Sequence, residues 1–133
     1  SKQQLYTGTK WLISRLYSPD AFWTRFQQIA DVLAPNPLLS RGTGRLHSPS
    51  SRDRANRHFG RMIRAVSRRD RDVARVVAQA GRLMRARPEI RDGLGDVLTT
   101  WLLSLYVHQE KGVYDTEWAR LPAPPFEDRR TAA

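Results

Sequence analysis

Apolar residues recur every three or four positions along most of the chain, and no stretch of useful length alternates between apolar and polar residues. A spacing of three or four positions is typical of helices that bury one face, whereas half-buried strands alternate apolar and polar residues. We therefore predict an all-α fold, a small bundle of four to five helices within residues 1–114. The first helix is predicted from Lys2 to Tyr17, and its inward face is predicted to be formed by Leu5, Leu12, Ile13 and Leu16.

A helix-starting signal follows at Ser18 and Pro19. Serine is a good N-cap, and proline suits the first helical position because the amide hydrogen that it lacks would have no partner there. The second helix is predicted to stop at the Pro-rich stretch 34–37. Its apolar face is predicted to contain Phe22, Trp23, Phe26, Ile29, Ala30 and Leu33.

The middle of the chain is harder to divide. Residues 35–51 have no period and contain three Pro, two Gly and four Ser, which predicts an exposed loop. Ser50 with Asp53, and later Ser67 with Asp70, have the spacing of a capping box at the start of a helix. Because the apolar spacing nearly continues across the second pair, residues 52–87 form either two helices or one kinked helix.

The most apolar segment runs from Pro88 to about His108, and its later half is apolar nearly all round, which predicts the central helix of the bundle. Gly93 and Gly95 fall where close approach to a neighbouring element is plausible. Residues 115–133 become rich in proline, and we predict a tail that is mostly disordered.

Charge and cysteine content narrow the function classes. The chain has 23 Lys plus Arg against 13 Asp plus Glu, a net charge of +10, which favours polyanionic partners, although such Arg-rich usage is equally typical of a GC-rich genome. The absence of cysteine excludes disulfides and thiolate-held metals or clusters within this chain. No run approaches the roughly 20 apolar residues of a membrane span, and no signal peptide is visible. We expect a cytoplasmic protein, and a chain starting without Met is interpreted as a piece of a longer one.

One set of arginines steps by three and four residues, which would align them as a ribbon along a helix. Residues 52–91 hold 13 Arg against four acids. Such a ribbon could contact a phosphate backbone, but we favour the simpler interpretation of a solvated helix face, because basic faces without a motif are a weak signal. The ribbon consists of Arg54, Arg57, Arg61, Arg64, Arg68, Arg71 and Arg75.

The sequence contains little that indicates catalysis. Its three histidines, His47, His58 and His108, are scattered, and no metal-binding spacing or pair of carboxylates on one helix face occurs. We predict no catalytic, metal-binding or cofactor-binding residue in this chain.

Large rings are concentrated near the amino end, where half of the twelve aromatic residues fall within Tyr6–Phe26. Adjacent helical residues diverge by about 100°, so these rings cannot all point inward, and exposed rings are good interface anchors. We predict a domain-docking surface at this corner, formed by Tyr6, Trp11, Tyr17, Pro19, Phe22 and Trp23.

The stretch LYTGTKWLISRLYSPDAFWTRF resembles the start of the helical C-terminal domain, of unknown function, of B12-binding-domain radical SAM proteins. In that domain a helix of the form leu-x-x-Gly-x-x-Trp-leu leads into leu-Tyr-Ser-Pro-x-x-phe/tyr-x-x-Arg. The matching positions are Leu5, Gly8, Trp11, Leu12, Leu16, Tyr17, Ser18, Pro19, Phe22 and Arg25. A weaker likeness to the closing segment of that domain involves Arg87, Pro88, Tyr106 and His108.

This resemblance implies an accessory domain that packs on the radical SAM barrel of the same polypeptide. The implied parent enzyme uses a 4Fe-4S cluster and S-adenosylmethionine, and its N-terminal Rossmann-like domain is associated with cobalamin. None of these cofactors is expected to be held by this segment. Two alternatives remain open, a self-standing basic helical module that binds RNA or DNA through the arginine ribbon, and an adaptor bundle that uses the aromatic corner on an unrelated partner.

Overall fold

The computed structural model describes residues 1–33 and 49–126, with the side chains of the third helix described from Arg57 onward. Five α-helices and two short 3-10 turns make up the regular structure of these residues, which confirms the predicted all-α bundle. The helices are α1 (Lys2–Tyr17), α2 (Pro19–Val32), α3 (Pro49–Arg69), α4 (Arg71–Ala86) and α5 (Arg91–Glu110). The 3-10 turns are Pro88–Ile90 and Trp118–Arg120.

The corner between α1 and α2 forms as the sequence predicts. The Ser18 hydroxyl accepts a hydrogen bond from the Ala21 amide, and Pro19 is the first residue of α2. This capping satisfies one of the amide groups that a helix start leaves without a partner. Because only Ser18 separates α1 from α2, the chain turns sharply at this point.

The segment from 52 to 87 is two helices, and the break lies at Asp70. The Asp70 backbone is extended (φ −145°, ψ 114°), and its carboxylate accepts a hydrogen bond from the Asp72 amide at 2.8 Å. Asp70 is therefore the N-cap of α4, and the predicted capping box that starts at Ser67 is wrong, because Ser67 lies within α3. Helix α3 already begins at Pro49, so the predicted cap at Ser50 with Asp53 is wrong and residues 49–51 of the predicted loop 35–51 are helical. Residues 35–48 of that loop lie outside the described residues.

Helix α5 lies at the centre of the bundle and packs against each of the other four helices. Its inward side is fully or nearly fully buried, as predicted, through Leu94, Leu98, Trp101, Leu102 and Leu105. A β-carbon added at Gly93 would lie 2.8 Å from the Leu33 side chain, whereas one at Gly95 would meet nothing within 4 Å. Close approach to a neighbour therefore explains Gly93 but not Gly95.

Helix α5 ends in a Schellman motif that reverses the chain. Gly112 adopts a φ of +68°, its amide bonds to the Gln109 carbonyl, and the Val113 amide bonds to the His108 carbonyl. A left-handed residue after the last helical turn favours glycine, since a side chain would be strained there. The chain then returns toward α1.

The returning segment, residues 113–126, corrects the predicted tail. Residues 115–126 pack along α1, and Phe126 lies against Gly8, so the ordered domain extends at least twelve residues beyond the predicted boundary at 114. The sequence hides this because the segment has no helical period. Residues 127–133, the rest of the predicted tail, lie outside the described residues.

Candidate docking surface

Helix α1 turns its polar side toward the protein. Ser14 is completely buried and Thr7 is only 9% exposed. The Ser14 hydroxyl accepts a hydrogen bond from the Asp115 amide at 3.0 Å, and the Trp11 indole N–H donates to the Leu121 carbonyl at 3.0 Å. The returning segment 113–126 is thus fixed to α1 by polar contacts, which supply backbone groups of an irregular segment with partners.

Two cationic side chains of α1 strengthen this contact. Lys10 lies 3.8 Å from the Asp115 carboxylate and 4.5 Å from the centre of the Trp118 ring, which combines an ion pair with a cation–π contact. Arg15 donates to the Leu121 carbonyl at 3.0 Å. Both of these positive charges of α1 therefore interact with the returning segment of the same domain.

The opposite side of α1 is apolar and open. Leu5, Leu12 and Leu16 are 73%, 49% and 44% exposed. They are seven and four residues apart, which places them on one face of the helix. Tyr6, half exposed, flanks them. We call the surface formed by these four residues the leucine face. The predicted orientation of α1, with these three leucines pointing inward, is therefore wrong.

The predicted docking residues of the corner divide into three groups. Pro19 and Phe22 are buried, and Phe22 stacks on Trp101 with ring centres 4.0 Å apart and an angle of 3° between the rings. They belong to the core and present no docking surface, because the corner needs them to pack on α5.

Trp11, Tyr17 and Trp23 are partly buried within the domain. The Trp11 indole N–H is hydrogen-bonded to the Leu121 carbonyl. Tyr17 packs on the His108 ring, with ring centres 4.7 Å apart. Trp23 packs against Phe26 at 5.9 Å. Of the six predicted residues, only Tyr6 is exposed by half, so the accessible apolar surface of this region is supplied mainly by leucine rather than by rings.

An apolar groove lies beside this corner, between α2 and α5. Its floor is the stacked pair Phe22 and Trp101, and its walls include Ile29 and Val97. The Trp101 indole N–H donates to the Tyr17 carbonyl at 3.0 Å, which satisfies the polar atom of the floor within the domain. The groove is open to solvent and has a volume of about 390 Å³.

The arginine ribbon is not continuous, since the break at Asp70 divides it between two helices. Arg57, Arg61, Arg64 and Arg68 are exposed along one face of α3. Arg71 and Arg75 are exposed on α4, and Arg54 lies outside the described side chains.

Arg75 differs from the four described ribbon arginines of α3 in having acidic neighbours. Its guanidinium lies 3.1 Å from Asp20 and 3.3 Å from Asp72, and the hydrogen bond to Asp20 raises its pKa. Arg120 adds a further contact to Asp72 at 3.6 Å. This small ionic cluster ties α4 to the start of α2 and to the returning segment.

The described residues bring no reactive groups together. Within 1–33 and 49–126 no three side chains of the His, Cys, Asp and Glu types are grouped as metal ligands. His58 is exposed on α3, and burial lowers the pKa of His108 at the far end of α5. His47 lies outside the described residues. None of the helices in the part of the chain that the structure describes has the length and apolar character to cross a membrane.

Comparison with protein-family models, with curated protein sequences and with solved structures found no match to this chain. The surface geometry described above is therefore the basis for a functional interpretation.

Proposed function

We propose that this chain is an accessory helical domain of a radical SAM enzyme of the cobalamin-binding type, and that it packs on the catalytic barrel of that enzyme through the leucine face of α1. The enzyme class rests on the resemblance of Leu5–Arg25 to the C-terminal domain of such enzymes. The docking role is supported by one observation, the outward orientation of Leu5, Leu12 and Leu16 on a helix whose polar side faces its own domain.

The energetic argument for docking is straightforward. Exposed leucines normally occur singly on a protein surface, whereas three aligned on one helix face form a patch that gains free energy when it is covered. Such a patch costs solubility if it remains open. A second domain of the same cytoplasmic polypeptide is a suitable cover because it is always present at high effective concentration.

The implied cofactors would be held elsewhere in that polypeptide. This chain has no cysteine, and its described residues contain no cluster of metal-ligating side chains, so it does not fit a 4Fe-4S cluster. No chemical step is assigned to it. Its contribution would be to complete and stabilise the fold of the enzyme.

The enzyme class is tested on the natural polypeptide that contains this chain. We expect three cysteines spaced CxxxCxxC outside residues 1–133, and reductive cleavage of S-adenosylmethionine to 5′-deoxyadenosine by the purified, reconstituted protein. Replacement of these cysteines by alanine should abolish the cleavage. A natural polypeptide without such cysteines and without the cleavage would contradict the proposal.

The docking role is tested separately with a matched pair of variants. Leu12→Asp and Leu103→Asp place the same charge at leucines that are 49% and 50% exposed, on α1 and on the outer side of α5. We expect Leu12→Asp to make the natural polypeptide susceptible to limited proteolysis between this domain and the rest, and Leu103→Asp to leave it resistant. Equal susceptibility of the two variants to proteolysis would show that the leucine face is not the docking surface.

A second candidate function, binding of RNA or DNA, is favoured by the exposed Arg57, Arg61, Arg64 and Arg68 on one face of α3. It predicts micromolar or tighter binding to arbitrary duplex that weakens steeply between about 50 and 200 mM salt. Arg61→Gln with Arg68→Gln should weaken binding and reduce the salt slope, whereas Arg82→Gln with Arg85→Gln on α4 serves as the charge-matched control. Absence of binding at low salt excludes this candidate.

A further inference from the structure

The hydrophobic core of the described residues leaves out most of helix α1. The buried members of this core lie on α2, α3, α4 and α5, in the 3-10 turn Pro88–Ile90 and at Tyr114. Among the residues of α1, only Tyr17 packs against it, and the returning segment contributes no residue beyond Tyr114. Residues 2–16 and 115–126 are therefore held in the molecule by contacts outside the apolar core.

Helix α1 and the returning segment hold each other. The 3-10 turn Trp118–Arg120 is the element on which α1 packs most extensively. Two donors of α1, the Trp11 indole and the Arg15 guanidinium, share the Leu121 carbonyl, each at 3.0 Å. Together, α1 and the returning segment form a layer whose internal contacts are mainly polar.

These polar contacts are weaker than the burial that holds the core. A hydrogen bond within a protein replaces one with water, so its net contribution is smaller than that of a fully buried leucine or phenylalanine. The ion pair between Arg120 and Asp72 is open to solvent, with side chains 73% and 44% exposed. Regions with few buried apolar contacts open at a lower free energy than the core does. The layer of α1 and the returning segment therefore has the composition of a unit that opens first.

The unit is bounded by two fixed points. The Tyr17 carbonyl accepts a hydrogen bond from the Trp101 indole at 3.0 Å, which ties the end of α1 to α5. Tyr114 is buried in the core at the start of the returning segment. Between these points and the free parts of the unit, the backbone has no contact with the core that an opening must break.

We propose that the returning segment acts as a latch on α1. While the segment is bound, it holds the leucine face in place for docking, and when it is released, the segment and α1 open together without unfolding of α2–α5. This inference rests on the proposed docking function and adds its regulation. Docking on a preformed surface avoids the cost of ordering α1 at the moment of contact, so a change that weakens the latch weakens docking without touching the leucine face.

A matched pair of tryptophans tests the latch in the 133-residue chain by amide hydrogen exchange. Trp11→Phe and Trp101→Phe each remove one indole hydrogen bond of 3.0 Å to a backbone carbonyl, the first in the latch and the second in the core. We expect Trp11→Phe to speed exchange of the α1 amides and of the Asp115 amide together by about fivefold, the factor for one typical hydrogen bond. Trp101→Phe should speed exchange of the amides of Leu98–Leu105 and leave those of α1 within about twofold.

Two further variants guard against a misfolded protein. Ser14→Ala is a second latch variant, since its hydroxyl accepts the hydrogen bond of the Asp115 amide. Val76→Ala is a second core variant at a completely buried position. Unfolding midpoints identify variants that are folded at the temperature of exchange. If the core variants speed α1 and α5 by the same factor, α1 opens only when the whole domain unfolds, and the latch inference is wrong.

Limited proteolysis of the natural polypeptide separates the latch from docking itself. Ser14 is completely buried, so Ser14→Ala acts on docking only through the latch. We expect Ser14→Ala to raise the rate of cleavage between this domain and the rest, as Leu12→Asp does, and Val76→Ala to leave it unchanged. If Leu12→Asp raises cleavage and Ser14→Ala does not, the latch inference is wrong and the docking function stands. If Leu12→Asp raises cleavage no more than Leu103→Asp, the docking function is wrong, and the regulation of docking by the latch is wrong with it.

Discussion

Helices α1 and α5 both have leucines at regular helical spacing, but α5 buries the side that carries its leucines and α1 buries the side opposite to its leucines. In α5, Leu94, Leu102 and Leu105 are completely buried, whereas in α1 the leucines are 44% to 73% exposed and Ser14 is completely buried. A hydrophobic period identifies a helix and one of its faces. It does not say whether this domain or another surface covers that face.

The largest effect is expected on the α5 side of the comparison. Trp101→Ala should lower the free energy of unfolding by about 3 to 5 kcal/mol, because it removes the ring stacked on Phe22 and leaves a cavity. Trp101→Phe keeps a ring but loses the hydrogen bond to Tyr17, and should cost less. Denaturant unfolding measures both, and a loss below about 1 kcal/mol for the alanine variant would place Trp101 outside the core.

On α1, a small polar residue should matter more than its leucines. Ser14→Ala leaves the partly buried Asp115 amide without its partner, and should cost about 1 to 3 kcal/mol. Urea titration with tryptophan fluorescence measures the change. A loss smaller than that of Leu12→Ala would mean that the polar side of α1 does not hold the returning segment.

The returning segment should also give a pH dependence. Burial, with a smaller contribution from Asp70, raises the pKa of Tyr114 above its ordinary value near 10. The stabilisation is fully present below about pH 10 and is lost as the pH rises toward the folded-state pKa, by at most about 1.4 kcal/mol per pH unit. Stability of the wild type should therefore fall faster above pH 10 than that of Tyr114→Phe, and parallel curves would contradict the burial of this hydroxyl.

The smallest effect is expected at the leucine face. Leu12→Ala should change the stability of this chain by less than about 0.5 kcal/mol, because the side chain has little to pack against in the domain itself. Thermal unfolding at matched concentration measures it. A loss of 2 kcal/mol or more would show that Leu12 is covered within the chain.

Local signals in the sequence were sufficient for much of the fold. The Ser18–Pro19 corner, the end of α4 before Pro88 and the central position of α5 follow from capping chemistry, proline geometry and apolar content. The capping-box spacing predicts Ser67 as the N-cap of α4, but the N-cap is Asp70, since both are good N-cap residues and only the extended backbone at Asp70 decides between them.

The candidate site was less accessible to sequence reasoning. The sequence places Phe22 both in the predicted docking corner and on the apolar face of the second helix, and its stacking on Trp101 assigns it to the core. The contacts of Ser14 with Asp115 and of Trp11 with Leu121 join residues about 100 positions apart, and no local pattern indicates them. One signal was present, since Thr7, Ser14 and Lys10 lie on the side of α1 opposite to the leucines.

Amide hydrogen exchange of α1 in two samples tests the docking claim most directly. The 133-residue chain and the longer natural polypeptide that we propose contains it are compared under identical conditions, with α5 as the internal reference. We predict that amides of Leu5–Leu16 exchange at least tenfold more slowly in the natural polypeptide, while those of Leu98–Leu105 change little. Equal exchange of α1 in both samples would contradict the account, because the leucine face would then be open in the complete protein.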